Sequence, residues 1–101
     1  MIIIDVAKRF SHTPFGRFES DGEFSAEKFR EQILKPELKK GDDVVIDFTH
    51  VALGVGSSFL EETFGGLVRQ GYDKKELLQH LSVKDKMNFY NDQVKYFIEQ
   101  A

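Results

Sequence analysis

The sequence predicts an α/β fold: a small mixed β-sheet of about four strands with helices packed against it. Three observations lead there. Strand-like and helix-like patterns alternate along the chain. The run "DVVIDF", residues 43–48, has no internal polar residue before Asp47 and reads as a strand covered on both faces. Two further segments place apolar residues at helical spacing behind recognisable start signals. Alternation of this kind implies a partly parallel sheet with right-handed crossovers, and binding sites at the carboxyl ends of its strands.

The elements follow in order. "MIIIDVAKRF" opens the chain as a buried strand, with Ile2, Ile3, Ile4 and Val6, closed by the polar turn "SHTP". "FGRFES" reads as a second short strand, and Asp21–Gly22 as a tight turn after it. Ser25 is then a helix N-cap, with Phe24 and Phe29 at the positions of a hydrophobic staple. That helix carries Phe29, Ile33 and Leu34 on one side, and Pro36 should stop or kink it near Leu34. "PELKK" makes a last turn ended by Gly41.

After "DVVIDF" comes the loop "THVALGVG". A second helix starts at Ser57 or Ser58 and runs to about Arg69 or Gln70, with Phe59, Leu60, Phe64, Leu67 and Val68 as its apolar stripe. Gly65 and Gly66 each weaken this helix by about 1 kcal/mol relative to alanine, and close approach to another backbone is the expected compensation. Gly71 caps its end. "YDKKELLQHL" is a short helix started by Asp73, "LSVKD" a last strand, and "KMNFYNDQVKYFIEQ" a helix with Tyr90, Val94, Phe97 and Ile98 on one face.

Length and composition bound the function. The 101 residues make one domain, spanning 1–101, with 41% apolar and 31% charged residues and ten Phe. The absence of Cys excludes disulfides, thiolate metal sites and thiol catalysis. A net charge of −3 lacks the clustered basic face that nucleic acid requires; the pairs Lys39–Lys40 and Lys74–Lys75 are solvated turns. "MIII" is too short for a signal segment and no apolar run approaches a membrane span, so a cytoplasmic domain is expected.

The loop "LGVGSS" lies at the carboxyl end of the best strand and is the first place to look for a site. It is not a nucleophile elbow, because Leu60 stands where Gly-x-Ser-x-Gly needs its second glycine. Nor is it a Walker loop, because no lysine precedes the serines. His12, His50 and His80 have no metal-ligand spacing; His50 is the only base one would imagine for Ser58. No cofactor is expected, and the protein reads as a non-enzyme. Ser58 with Glu61 fits a Ser-x-x-Glu capping box, which needs no function at all. A phosphate on a serine at a helix N-terminus would instead add about −1.5 to −2 charges at the positive end of the helix dipole, with Glu61 and Glu62 opposing it one turn away.

The segment "VVIDFTHVALGVGSSFLEETFGGL" resembles the central strand, loop and helix of STAS domains, found in bacterial anti-sigma factor antagonists and in sulfate transporter tails. More closely, the chain resembles the STAS-like family of unknown function. "GRFESDGEFSAEKFREQIL" is similar to that family's first signature, with Arg17, Asp21, Gly22, Ser25, Phe29 and Arg30 in place. "GSSFLEETFGGLVRQG" is similar to its second. Together these segments cover nearly half of the chain.

The resemblance implies a small sheet with packed helices and a role in binding protein. Anti-sigma factor antagonists bind a histidine-kinase-like ATPase, which phosphorylates a serine at the start of the helix after the central strand. Ser57 and Ser58 match the antagonists' serine pair by position, and Ser58 matches the phosphorylated one. Gly56 stands where the antagonists have Asp and Phe59 where they have Gly, and the loop is about one residue longer. The signature loop with Arg17 and Asp21, absent from the antagonists, is either a salt-bridged structural loop or part of a partner surface.

The expected function is therefore a regulatory protein-binding module. Its contact face is Gly54, Val55, Gly56, Phe59, Glu61 and Glu62, and Ser58 is its switch, with Ser57 second. The alternative is a small-ligand or nucleotide-binding domain that uses "GVGSS". A homodimer with a structural role is a third reading.

Overall fold

The computed structural model describes residues 1–52 and 54–101. Leu53, within the loop after the central strand, lies outside them. Three strands form one parallel sheet in the order β1–β2–β3. They are β1 (Ile2–Asp5), β2 (Val44–Asp47) and β3 (Leu81–Lys84). Ile4, Ile46 and Val83 lie side by side across the sheet, and so do Ile3, Val45 and Ser82. The first row is buried and the second is not: Ile3 is 57% exposed. Helices therefore cover one face. The run "DVVIDF" was expected to be covered on both faces; its strand is central between two neighbours, but of β2 itself only Val44 and Ile46 reach the core, joined by Phe48 just after it.

Five helices pack with the sheet among the described residues. A single turn, α1 (Val6–Arg9), follows β1 at once, where the sequence suggested that the strand would continue. Asp5 ends the strand by accepting the N–H of Lys8 at 3.2 Å. The pieces Ala26–Phe29, a π turn Arg30–Leu34 and Lys35–Leu38 run without a break as α2. Pro36 thus does not stop this helix. It has no N–H to give the carbonyl of Gln32, and the wider turn just before it, in which the Lys35 N–H reaches the Arg30 carbonyl, takes up the mismatch. Ser57–Leu60, a second π turn Glu61–Gly65 and Gly66–Arg69 form α3 in the same way. Asp73 caps α4 (Lys74–His80), and α5 (Tyr90–Gln100) ends the fold.

The expected strand "FGRFES" is absent, and with it the fourth strand and the mixed sheet. The reason lies in what its backbone bonds to. The carbonyls of Gly16 and Arg17 accept the N–H groups of Ala26 and Glu27 at 2.9 Å each. Those donors belong to the first turn of α2, where a helix has no partner of its own for them. The segment therefore works as a cap for α2 and not as a strand, and Gly16 at φ +92° lets it turn. Asp21 Oδ2 accepts the N–H groups of Arg17 and Phe18 at 3.1 and 3.0 Å, which closes residues 17–21 into a rigid loop.

The core joins Ile4, Val44 and Ile46 of the sheet to Phe29 and Leu34 of α2, Phe59, Leu60, Phe64 and Leu67 of α3, and Val94 and Ile98 of α5. The staple expected between Phe24 and Phe29 is mediated by Phe10. Its ring lies 5.7 Å edge-on from Phe24 and 5.3 Å from Phe29. Ser25 caps α2 as expected, with Oγ accepting the Lys28 N–H at 3.3 Å, and it is fully buried. Ser25→Ala should lower stability by about 1 kcal/mol, read from urea unfolding at pH 7.

Candidate functional site

The two sequence signatures meet in space. A shallow groove of about 470 Å³ is lined by Phe15, Gly16, Arg17 and Asp21 from the capping loop and by Gly56, Ser57, Ser58 and Phe59 from the start of α3. The chain reaches α3 through a loop fixed from beneath: the Val55 N–H donates to Tyr90 Oη at 2.7 Å, and the Tyr90 ring packs edge-on against Phe48. Tyr90 shows in the sequence only as one more apolar position of the last helix; nothing marks it as the anchor of this loop.

The structure divides the expected contact residues. Gly54, Gly56, Ser57 and Ser58 are exposed. Val55 and Phe59 are 7% and 1% exposed and belong to the core, with Phe59 against Phe29 at 6.0 Å between ring centres. Phe59 shows only a limited surface to the groove, and Glu62 is likewise buried. Of the residues expected from Gly54 to Glu62, those of the loop other than Val55 and the first two of α3 are exposed among the described residues, so the stretch does not form one even face. The helix turns the apolar ones inward.

The capping box is corrected too. Gly56 is the N-cap of α3 and makes no side-chain cap bond; Ser57 and Ser58 are the first two helical residues. The first helical bonds are made to the Gly56 carbonyl by the N–H groups of Phe59 and Leu60. Glu61 does not reach back to Ser58 because its carboxylate is held elsewhere by charge-assisted bonds, which are stronger than a neutral cap bond. Ser58→Ala should consequently change stability by no more than about 0.5 kcal/mol, as for an exposed surface position. A loss comparable to that of Ser25→Ala in the same urea series would restore the cap.

Arg17 and Arg69 hold Glu61, and with Arg30 they form an array of three arginines, from three parts of the chain, around Glu61 and Glu62. Arg17 Nη1 lies 2.6 Å from Glu61 Oε1 and 3.5 Å from Glu62 Oε1. Arg69 Nη1 lies 2.6 Å from Glu61 Oε2, and its Nη2 is 3.6 Å from Glu62 Oε1. Arg30, buried in α2, donates from Nη1 to the Glu62 carbonyl at 2.6 Å and to Glu62 Oε2 at 2.8 Å. Its Nε donates to Glu31 Oε2 at 2.9 Å, and Lys35 and Gln70 hold the same carboxylate. Glu61 and Glu62 are therefore neutralised, not free to repel an anion at Ser58. Glu62 and Arg69 lie seven residues apart, two helical turns, so their meeting was legible in principle from spacing. The arrival of Arg17 and Arg30 was not.

Gly65 and Gly66 make room for this array. Close approach to another backbone was expected at the pair; the neighbours are instead side chains. A Cβ on Gly66 would meet the Arg30 guanidinium, and one on Gly65 would meet the Glu61 carboxylate and Arg69. The residues expected to form a signature loop, Arg17, Asp21, Gly22 and Arg30, thus divide. Arg30 and Arg17 enter the ionic array, Asp21 shapes the loop, and Gly22, at φ +155°, ends its 3₁₀ turn (Glu19–Asp21).

The array shifts ionisation. Burial works against the charged form of Glu31, but hydrogen bonds from Lys35, Arg30 and Gln70 outweigh it and hold its pKa at about 2, against 4.5 ordinarily. Glu61 moves in the same direction, chiefly through its bond from Arg69. A carboxylate whose folded pKa lies below its unfolded one contributes stability above the unfolded value and loses it as pH falls through the folded one. The urea midpoint should fall between pH 4.5 and 2, and fall less in Glu31→Gln than in the parent chain. An equal fall in both would mean that the bonds to Glu31 do not persist in solution.

The histidines lie elsewhere. His12 and His50 line a separate hollow with Asp5, Ala7 and Lys8, and His80 Nδ1 lies 2.7 Å from Asp43 at the opposite ends of the strands. None lines the serine groove, so His50 is not placed beside Ser58 as a base. Among the described residues no cluster of His, Asp and Glu is arranged to hold a metal ion, and no helix is long and apolar enough to cross a membrane.

Fold and groove together define a small α/β domain with a parallel sheet, helices on one sheet face, and an exposed serine pair opening the helix that follows the central strand. The chain belongs to the family described as the STAS-like domain of unknown function (DUF4325), whose model matches residues 25–88. The match takes in the serine pair, Arg30, Glu62 and both glycines of α3, while Arg17 and Asp21 precede it. Comparison with curated proteins and with solved structures returns no match.

Proposed function

We propose that this domain is a non-enzymatic regulatory module that binds another protein through the serine groove, and that phosphorylation of Ser58 switches the binding. The observation that carries this reading is the convergence of both signature segments on one exposed groove. Aromatic exposure supports it. Phe15, at the groove wall, is 74% exposed, and Phe18 and Phe24 of the same capping loop are 47% and 38% exposed. Large apolar side chains gathered at one surface mark protein contacts more often than they mark anything else.

The partner is read as a histidine-kinase-like ATPase, by similarity of the STAS-like fold to the anti-sigma factor antagonists. In the switching step, a phosphoryl group passes from a nucleoside triphosphate held by the partner to Ser58 Oγ. The Oγ–H proton leaves to a base on the partner, and the nucleoside diphosphate is the product. Ser58 is suited to receive it because it is exposed and spends no bond on capping the helix. Ser57, equally exposed and one position earlier, is the second acceptor.

The test compares the wild-type chain with Ser58→Ala and Ser58→Asp as baits in the native host, with mass spectrometry of the bait and of the retained proteins. An ATPase of this kind held by wild type and lost with Ser58→Asp, together with phosphate on Ser58, is the expected result. Identical retention by all three baits, with no phosphoserine, overturns the proposal.

A second reading rests on the size of the groove. About 470 Å³ lies within the range of small-molecule sites, and Arg17 offers a cation to an anionic ligand. A nucleotide-dependent rise in melting temperature of the isolated chain, lost on Arg17→Ala, would favour that reading over protein binding.

A further inference from the structure

We propose that Arg17 is the receptor for the Ser58 phosphate, so that phosphorylation moves the Arg17 side chain from Glu61 to the phosphate at the start of α3. This rests on the reading of Ser58 as a phosphorylated residue and specifies how the phosphate is held and what it changes.

Arg17 is the cation of the groove: no other residue lining it among those described carries a positive charge. Its guanidinium is already held over the right turn of α3. Glu61 and Glu62 stand three and four residues after Ser58, the spacings that bring side chains together on a helix surface, at about 5–6 Å between Cβ atoms. Arg17 touches both of them, and every bond its guanidinium makes among the described residues uses Nη1. Its Nε and Nη2 donors are left over. A guanidinium presents five N–H groups in a fork that matches phosphate oxygens, so the unused edge is the one a phosphate requires.

Of the three arginines, Arg17 is also the one that can move. Arg30 is buried and makes three bonds, two of which anchor α2 to α3. Arg69 holds Glu61 through both of its terminal nitrogens. The Arg17 side chain is 38% exposed. If it leaves, Glu61 keeps Arg69 and Glu62 keeps Arg30, so neither carboxylate is stranded. With Arg17 turned toward it the added charge at Ser58 has a partner, while Arg69 and Arg30 still hold the two carboxylates one turn away. The first turn of α3 supplies a smaller attraction through its unpaired N–H groups.

The move has a structural readout. Asp21 and the first turn of α2 fix the backbone at Arg17, so the guanidinium swings on its own side-chain bonds while the loop stays in place. The groove beside Phe15 exchanges an unused guanidinium edge for a paired phosphate. Phosphorylation is thereby converted into a change of charge and shape on the surface that a partner meets.

The experiment installs phosphoserine at position 58 of the full chain during synthesis, in wild type, in Arg17→Ala, and in Arg9→Ala as a cation that does not line the groove. Phosphorus NMR follows the second ionisation of the phosphate, ordinarily near pH ~6. A guanidinium favours the dianion, so the midpoint should lie below that value in wild type and in Arg9→Ala, and rise by about half a unit or more in Arg17→Ala. The Arg17 Nε–H resonance of wild type should shift on phosphorylation while that of Arg30 stays in place, a readout that does not depend on the variant folding. Equal midpoints in wild type and Arg17→Ala, with an unmoved Arg17 Nε–H, overturn the capture while leaving the functional reading intact. Absence of phosphoserine from chain purified from its host overturns the functional reading itself, and this role falls with it.

Discussion

Arg30→Ala is expected to lower the stability of the domain by about 3 kcal/mol. Arg30 is 5% exposed and Glu62 is 8% exposed, and they meet at 2.8 Å. The intact pair is not itself a large source of stability, since removing two charges from water costs nearly as much as their attraction returns. Deleting one partner is different. Glu62 would keep the cost of burial without its closest counter-ion, and its carbonyl would lose a second donor at 2.6 Å. Removal of one member of a buried pair typically costs about 3–5 kcal/mol. The lower end applies here because Arg17 Nη1 and Arg69 Nη2 remain 3.5 and 3.6 Å from Glu62 Oε1. Replacing the two together by Met and Leu should be far milder than either single loss. Urea unfolding at pH 7 measures all three variants. A loss under about 1 kcal/mol for Arg30→Ala would mean that Glu62 finds water or another cation, and that the array is not what joins α2 to α3.

Gly66→Ala should be destabilising by about 2 kcal/mol, against the sign that helix propensity gives. Within a helix, alanine is favoured over glycine by about 1 kcal/mol, and Gly66 at φ −59° is in ordinary helical conformation. What forbids the methyl group is Arg30. The new Cβ would collide with its Nη1 and stand 3.1 Å from its Cζ. The end of an arginine is usually free to swing away, but this one is buried and held by bonds to Glu31 and Glu62, so moving it breaks the ion pair. Overpacking of this order costs about 1–3 kcal/mol. The double variant isolates the cause. In the Arg30→Ala background, Gly66→Ala should become neutral or stabilising by up to about 1 kcal/mol, and the two changes should be strongly non-additive. A destabilisation of the same size in both backgrounds would place the obstruction elsewhere. Gly65→Ala should cost less, because its Cβ meets the ends of Glu61 and Arg69 at the surface, where both side chains have room to rearrange.

These two effects show where sequence reading reached its limit. The apolar stripe of α3 was legible because Phe59, Leu60, Phe64 and Leu67 recur at helical spacing, and all four are buried. Ser25 was legible as a cap because a cap depends on residues three apart in the chain. Asp73 and the short helix after it were legible for the same reason. Ser58 was misread as a cap although its local pattern was better than that of Ser25. Glu61, which should have completed the box, is drawn off by Arg17, 44 residues earlier in the chain. "FGRFES" was misread as a strand because only its neighbours in the chain were considered, whereas its carbonyls are used by the first turn of α2. Pro36 signalled a break, and the π turn before it absorbed one.

The candidate site divides along the same line. The sequence by itself determined that a loop and a helix start carrying two serines follow the central strand. This is a statement about short-range pattern: periodicity, glycine placement and caps are properties of neighbours in the chain. Arg17, Asp21 and Arg30 were set apart only by the resemblance to the STAS-like family. Only the tertiary structure decided that the two signatures line a single groove, that Phe59 and Glu62 turn inward while Ser57 and Ser58 face out, and that three arginines share two adjacent carboxylates. The physical reason is range. A hydrogen bond or an apolar contact within one turn is fixed by spacing. Which distant charge reaches a given carboxylate depends on how α2 and α3 cross, and that crossing is set by the packing of Phe29 against Phe59 and by the absence of a side chain at Gly66.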